Sequence, residues 1–244
     1  MKKIITAMLI AGMILSFASC GNNDVEETTT EATTTEATTT TEETTTGETT
    51  TENAGGEVAS IDAKSALAKL FDEFHNKLAP AFGVESGEEV KGAYVGTDTE
   101  VVDVWVDEET GEEYPIEMPI AAPSAIDLSS EENHLYMTYF PSELTDKLDS
   151  AAFFMSMMNA NNGGTFAAFE LKDAADAQAV ADALKEALAN NMWMCGMPDG
   201  FYIAEANGVI FSGFAGNDPL NAFKEAVSAT YENVNVLYNE TIGF

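Results

Sequence analysis

FYIAEANGVIFSGF, residues 201–214, sets the architecture of this chain. The dipeptide Asn207-Gly208 stands between two strongly apolar segments, 201–206 and 209–214. Asn-Gly between such segments is a strong hairpin signal, because a type I′ turn needs positive φ at both central positions. The stretch therefore predicts two antiparallel strands joined by a tight turn.

Two more strands are predicted upstream of this hairpin. Phe153, Met155 and Met157 alternate along one side of the first strand, and residues 165–171 form the second. The polar segment 159–164, which ends in glycine, provides the turn between them. Strands joined by so short a connection pair antiparallel.

An amphipathic helix is predicted after each pair of strands. The first is capped by Asp173, and the second begins at Asn217-Asp218-Pro219, with proline in its first turn. The apolar stripe of the first helix consists of Ala177, Val180, Leu184, Leu188 and Met192. The buried side of the second consists of Leu220, Phe223, Val227 and Tyr231. Residues 234–238 are expected as a final strand.

The carboxy-terminal half therefore has the order β-β-α-β-β-α. Amphipathic helices need an apolar sheet face to cover, so this order predicts an α+β fold, a two-layer sandwich with a mostly antiparallel sheet. An N-terminal helix is expected to join the helical layer, capped by Ser60 and closed by Pro80 and Gly83. Its apolar stripe consists of Leu67, Leu70, Phe71, Phe74, Leu78 and Phe82. We expect His75 on the polar side of this helix.

The segment between that helix and the strands is less regular. Residues 92–119 predict an acidic hairpin insertion, with apolar residues alternating on both sides of the turn at Thr110-Gly111. Residues 135–140 are expected as a short aromatic strand, and residues 142–148 as one or two helical turns.

The chain before residue 57 predicts export rather than a part of the fold. Lys2-Lys3 precedes an apolar run, residues 4–17, which has the length of a signal peptide core and is too short to span a membrane. Residues 21–56 are rich in threonine and glutamate and offer no apolar face, so we expect a disordered tether. Residues 57–244 are expected to form a single domain.

Phe17-Ala18-Ser19-Cys20 resembles the lipobox of bacterial lipoproteins, with Phe17 where leucine is usual. The resemblance implies that residues 1–20 are a lipoprotein signal and that Cys20 receives a diacylglycerol, with acyl chains such as palmitate. Two acyl chains give stable anchoring, so the expected location is the cell membrane, on its extracytoplasmic side. The alternative is an ordinary signal peptide with a chance cysteine.

Met157-Met158-Asn159 and Phe169-Glu170-Leu171-Lys172-Asp173 are similar to an uncharacterised domain of small lipoproteins from Gram-positive, Clostridia-type bacteria. In that family a strand with Met and Asn precedes a strand that ends in Lys-Asp. The resemblance covers about residues 147–231. The family has no assigned activity, so the resemblance implies fold and location only.

The charge of the chain limits its partners. Its formal net charge is −32, and all ten basic residues are lysines. A surface this acidic repels phosphates, which argues against nucleic-acid binding. Of the two cysteines, Cys195 has no partner within the chain if Cys20 carries lipid, so no intramolecular disulfide is expected. We expect a monomer.

Two clusters offer ligands for a cation. The thioethers and the thiol of Met192, Met194, Cys195 and Met197 suit Cu(I), although methionine also fills core gaps and a lone buried cysteine is usually inert. The carboxylates of the predicted hairpin could collect Ca²⁺, although they lack EF-hand spacing. These carboxylates are Asp98, Glu100, Asp103, Asp107, Glu108, Glu109, Glu112, Glu113 and Glu117.

No catalytic motif of the HExxH, GxSxG or CxxC type occurs, and the only histidines are His75 and His134. We therefore expect neither an enzyme nor a cofactor, although a carboxylate pair for acid–base chemistry stays open. The sequence predicts a membrane-anchored binding or accessory module with an unknown ligand. The alternative is a Cu(I)-handling lipoprotein, and the third hypothesis is an enzyme of unknown type.

Overall fold

The computed structural model describes residues 61–130, 133–156, 164–191 and 197–242. Within these ranges the chain forms three α-helices, α1 (Ala63–Leu78), α2 (Ala177–Ala189) and α3 (Asn217–Thr230). The strands are β1 (Tyr94–Val95), β2 (Thr99–Val106), β3 (Glu113–Pro119), β4 (Ser124–Ala125), β5 (Leu148–Ser156), β6 (Gly164–Leu171), β7 (Gly200–Ala206), β8 (Val209–Ala215) and β9 (Asn235–Thr241). The predicted signal and tether, including Cys20, lie outside the described residues.

Seven of these strands form one antiparallel sheet. Its order is β1-β5-β6-β8-β7-β9, and β4 pairs beside β1 with β5. The other two strands, β2 and β3, form a separate hairpin. The predicted α+β class with a mostly antiparallel sheet is thereby confirmed.

The turn between β7 and β8 has the predicted conformation. Asn207 and Gly208 connect β7 to β8 with φ of 56° and 78°, which are the positive values that a type I′ turn requires. The Glu205 side chain accepts a hydrogen bond from the Gly208 N–H at 2.9 Å. The first predicted hairpin, β5 with β6, is also present, although residues 157–163 between them lie outside the described ranges.

Helices cover both faces of the sheet. One core places α1 and α3 on Phe154, Phe166 and Phe211, and the other places α2 on Phe153 and Ile203. The expected two layers are therefore wrong in detail, because the sheet is the middle of three. The physical reason lies in the central strands, whose neighbouring residues are both apolar, so that each face needs a cover.

Helix α1 departs from its prediction at three residues. Asp62 caps it, accepting a hydrogen bond from the Ser65 N–H at 2.9 Å, whereas the predicted cap, Ser60, lies outside the described residues. His75 is buried, 1% exposed, so its placement on the polar side was wrong. Phe82 lies in the 3₁₀ turn after the helix and is exposed. The predicted ending is confirmed, since that turn stops at Gly83, whose φ is +70°.

The segment before β5 contains no strand at 135–140. Residues His134–Thr138 form a 3₁₀ helix instead. The Asn133 side chain accepts from the Leu135 N–H, and the Thr138 hydroxyl donates to the Leu135 carbonyl, so local hydrogen bonds replace strand pairing. The helical turns predicted after it are confirmed as a second 3₁₀ segment, Ser142–Lys147.

The last two helices begin close to their predicted starts. Asp173 caps a short 3₁₀ turn, Ala174–Asp176, and α2 follows from Ala177. Pro219 stands in the first turn of α3, after Gly216 as N-cap. Strand β9 confirms the predicted final strand at an edge of the sheet. Met192 lies outside the described residues.

Candidate binding surface

The separate hairpin is the feature of the described chain that has no role in the core. Strands β2 and β3 pair from Thr99 opposite Pro119 to Val106 opposite Glu113, with an irregularity at Val102. Neither is paired with a strand of the main sheet. We call residues 99–119 the arm. At its base the Ile120 N–H donates to the Asp98 carbonyl at 2.8 Å.

All residues of both arm strands are exposed. Val101 is 57% exposed and Trp105 is 55% exposed, although side chains of this size normally lie in a core. The exposed apolar residues of the arm are Val101, Val102, Val104, Trp105, Val106, Tyr114, Ile116 and Met118. Exposed apolar side chains clustered in one element are typical of a binding site.

The register sorts these residues onto two faces, because successive side chains of a strand point to opposite sides. Trp105 lies opposite Tyr114, with the ring centroids 5.4 Å apart, and Ile116 and Met118 continue that row along β3. The other face carries Val101, Val104 and Val106, opposite Glu117, Pro115 and Glu113. Each face of the arm therefore exposes apolar side chains among carboxylates.

The two outer edges of the arm differ. The Asp107 N–H donates to the Glu112 carbonyl at the tip. Asp107 and Glu112 are thus a hydrogen-bonded pair, and hydrogen-bonded and non-hydrogen-bonded pairs alternate along an antiparallel ladder. Three pairs further along, Val104 and Pro115 form a non-hydrogen-bonded pair, whose backbone nitrogens face away from the partner strand. The edge of β3 thus lacks an N–H at Pro115, and also at Pro119, whereas β2 contains no proline. The open edge is that of β2.

The Val104 N–H is covered locally. It donates to the Asp103 carboxylate at 2.8 Å rather than to β3. A charged side chain that covers an edge donor is one of the ways in which proteins protect exposed strands from unwanted pairing. Asp103 therefore occupies the outward N–H at the middle of the β2 edge.

The arm is strongly acidic. The nine carboxylates that could collect Ca²⁺, from Asp98 to Glu117, lie in the arm or at its base, and the arm contains no lysine. At the tip the backbone N–H groups of Thr110 and Glu109 donate to Asp107 and hold the pKa of that carboxyl below its ordinary value. The Tyr114 hydroxyl donates to Glu112, which raises the pKa of Tyr114.

These carboxylates do not assemble into the calcium site that the sequence left open. Among the described residues, no three His, Cys, Asp or Glu side chains form a group that could hold a metal ion. Several have other partners instead. Asp98 pairs with Lys64 at 2.9 Å, and Glu117 accepts from the Thr99 hydroxyl at 2.9 Å.

The Cu(I) hypothesis rests on residues that are mostly outside the described ranges. Met192, Met194 and Cys195 belong to the segment 192–196, which the structure does not describe. Met197 is described and is exposed. Met155, the methionine of β5, is partly buried and packs against the core under α2. Whether these sulfurs converge stays a prediction.

The two histidines have different surroundings. The His75 ring packs against the rings of Phe71, Phe74 and Tyr94, with centroids 4.4, 4.9 and 5.7 Å away. Its Nδ1 bonds to the Phe71 carbonyl at 2.7 Å, while Nε2 is buried without a partner among the described residues. Burial lowers the pKa of His75. His134 is half-buried and lies 6.3 Å from the Phe153 ring.

The sequence predicted a hairpin at 92–119 and its acidic charge, but not that both strands are exposed along their whole length. The available signal for exposure was the placement of carboxylates between the apolar residues of both strands, since charged side chains are seldom buried.

Comparison with protein-family models, with curated proteins and with solved structures found no match to this chain. The resemblance to lipoproteins therefore stays a prediction from the sequence. None of the helices among the described residues has the length and apolar character needed to cross a membrane.

Proposed function

We propose that this chain is a membrane-anchored extracytoplasmic lipoprotein whose folded domain binds a partner through the arm. The observation that carries the proposal is the exposure of apolar side chains on both faces of β2 and β3. The proposed partner is a polypeptide rather than a nucleic acid, because the arm and the whole chain are acidic.

An exposed apolar hairpin is costly to keep without a use. An isolated two-stranded hairpin is only marginally stable in water, and open strand edges invite aggregation. The arm adds nothing to either described core, whose residues all come from other elements. A binding partner that covers the arm accounts for both features.

The predicted anchor supplies the location of this binding. The sequence places Cys20 before a threonine-rich stretch of about thirty residues, which would reach roughly 100 Å if fully extended. The proposed lipoprotein would therefore present the arm away from the lipid surface, where a partner in the cell envelope can meet it.

Site-specific photo-crosslinking in living cells of the source organism tests the proposal. A photoreactive residue replaces Ile116 on the arm, and matched proteins carry it at Phe82 or Val236, which are exposed apolar positions outside the arm. We expect a discrete adduct from position 116 and none from the two controls. Adducts of equal yield at all three positions, or none at 116, would remove the arm from the function.

A further inference from the structure

We infer that the arm takes up an extended cationic polypeptide segment, which pairs with the outer edge of β2 as a third strand. The inference rests on the proposed function and names the chemistry of its partner. Addition of a strand to an open edge supplies affinity through main-chain hydrogen bonds and specificity through alternate side chains. Three features of the arm identify the segment.

The first feature is the difference between the edges. Pro115 and Pro119 remove two of the outward donors of β3, so an added strand would lose hydrogen bonds there. On β2, the backbone N–H groups of Val104 and Val106, opposite Pro115 and Glu113, point outward. The incoming strand therefore pairs with β2.

The second feature is the pattern of side chains along β2. One face of the strand carries Glu100, Asp103 and Trp105, which lie opposite Met118, Ile116 and Tyr114. The other face carries valines. A neighbouring strand would place lysine or arginine beside the carboxylates and the indole on the first face, where ion pairs and cation–π contacts form. It would place apolar residues beside the valines, so basic and apolar residues alternate in the partner.

The third feature is Asp103. Its carboxylate accepts the Val104 N–H at 2.8 Å, so an incoming carbonyl has to displace it. A cation on the incoming strand gives the displaced carboxylate a new partner, whereas a neutral strand leaves it with water alone. Asp103 therefore makes the edge selective for strands that carry positive charge.

Charge excludes two occupants from the chain itself. A second arm would bring its own carboxylates against those of the first, and like charges on adjacent strands are destabilising. The predicted tether, residues 21–56, contains glutamate and no lysine, so it is repelled in the same way. A basic segment of another protein is the occupant that the charges favour.

A peptide titration tests the inference with the full chain in detergent at about 0.15 M salt, where the Debye length is about 8 Å. The probe is a labelled peptide of alternating lysine and valine, matched to the 8 residues of β2. Control peptides alternate glutamate and valine, carry the lysines and valines in two blocks, or have methylated backbone nitrogens. We expect saturable binding of the alternating lysine peptide and binding at least about tenfold weaker for each control. The methylated peptide loses main-chain hydrogen bonds, the glutamate peptide meets like charges on the arm, and the block peptide places its side chains out of register.

Variants of the arm locate the contact. Val104→Pro removes the outward N–H but no hydrogen bond between β2 and β3, and should weaken binding about tenfold or more. If this variant disturbs the arm, Asp103→Asn still tests the inference, because it keeps an acceptor for Val104 and removes the charge. Glu108→Gln, at the tip, is the matched control for charge loss and should bind as the unaltered chain does.

The outcomes separate this inference from the proposed function. Equal binding of the alternating, block and methylated lysine peptides would show attraction by charge alone and would overturn pairing at the β2 edge. Failure of all the lysine peptides, with crosslinks at position 116 retained in cells, would overturn the cationic partner and leave the arm as the binding surface. Loss of those crosslinks would overturn the proposed function itself.

Discussion

At Gly213, in the middle of β8, the sheet has no room for a side chain. A Cβ there would lie 2.7 Å from the Phe166 ring and 3.1 Å from that of Phe223. Both rings belong to the core under α1 and α3. Close packing around glycine therefore sets the distance between sheet and helix at this point.

Gly213→Ala should lower the free energy of unfolding by about 1–3 kcal/mol, the usual cost of overpacking a core. The matched control is Gly92→Ala, because no atom lies within 4 Å of the added Cβ at that site. Chemical denaturation of both variants measures the difference. Equal stability of the two would show that the core yields at Gly213.

His75 should make the stability of the domain depend on pH. Burial lowers its pKa and the charge of Lys91 acts in the same direction, while the hydrogen bond to the Phe71 carbonyl and the charges of Asp72 and Glu88 oppose them. In the unfolded chain the pKa is about 6.5, so below that pH the unfolded state binds more protons than the folded one. The contribution of neutral His75 to the free energy of unfolding is therefore complete above about pH 6.5. It is lost as the pH falls toward the lower pKa of the folded state.

Unfolding measured between pH 7 and pH 5 checks this expectation. His75→Gln removes the titrating group, so its stability should fall less over that range than the stability of the unaltered chain. Gly92→Ala, which changes no titratable group, serves as the control and should keep the slope of the unaltered chain. Identical slopes for all three proteins would contradict a neutral, buried His75.

The burial of His75 also shows a limit of prediction from single residues. Periodicity placed the stripe of α1 through Leu67, Leu70 and Phe74 correctly. It could not show that the 3₁₀ turn Gly87–Glu89 packs against the other side of the helix. That contact, which comes from a segment without regular periodicity, encloses a residue that otherwise reads as solvent-facing.

Among the elements, the strands were easier to predict than the face of the sheet on which each helix packs. Turn chemistry at Asn207-Gly208 specified β7 and β8 because few other pairs accept positive φ twice. The layer of each helix depends on tertiary contacts, which no local pattern contains. Neighbouring apolar residues such as Phe153-Phe154, on opposite faces of β5, were the available signal for burial on both sides.

The arm is an element that the domain should fold without. Replacing residues 99–119 by a short glycine-serine link between Asp98 and Ile120 keeps the base, where the Ser124 hydroxyl accepts from the Asp98 N–H at 2.9 Å. We expect the free energy of unfolding to change by no more than about 0.5 kcal/mol, as for surface changes away from the core. Chemical denaturation provides the value.

The central hairpin supplies the matched comparison. Gly208→Val places a β-branched residue at φ of +78° and should cost about 1–2 kcal/mol. A deletion of the arm that destabilises the domain more than this single substitution would mean that the arm supports the core. The exposure of its valines would then need another explanation.

For the molecule as a whole, the prediction from the sequence concerns Cys20. If this cysteine carries the lipid, Cys20→Ser should release the protein from the membrane fraction or leave its signal uncleaved. Fractionation followed by mass spectrometry of the intact chain distinguishes these results. A serine variant that is processed normally and stays with the membrane would contradict the lipid anchor.

The net charge of the whole molecule affects which partners reach the arm. With a net charge of −32, long-range attraction favours basic partners from any direction, and salt screens it. The arm combines this charge with several exposed valines and an open strand edge, whereas the edge strand β9 exposes the single valine Val236. Binding that survives about 0.15 M salt should therefore depend on the arm.

Amide hydrogen exchange of the full chain, with and without the alternating lysine-valine peptide, tests this account most directly. Pairing at the edge of β2 predicts slower exchange at Val104 and Val106 when the peptide is bound, with unchanged exchange at Glu113 and Glu117 on the edge of β3. Protection confined to other parts of the chain, or unchanged exchange at both valines under saturating peptide, would contradict it.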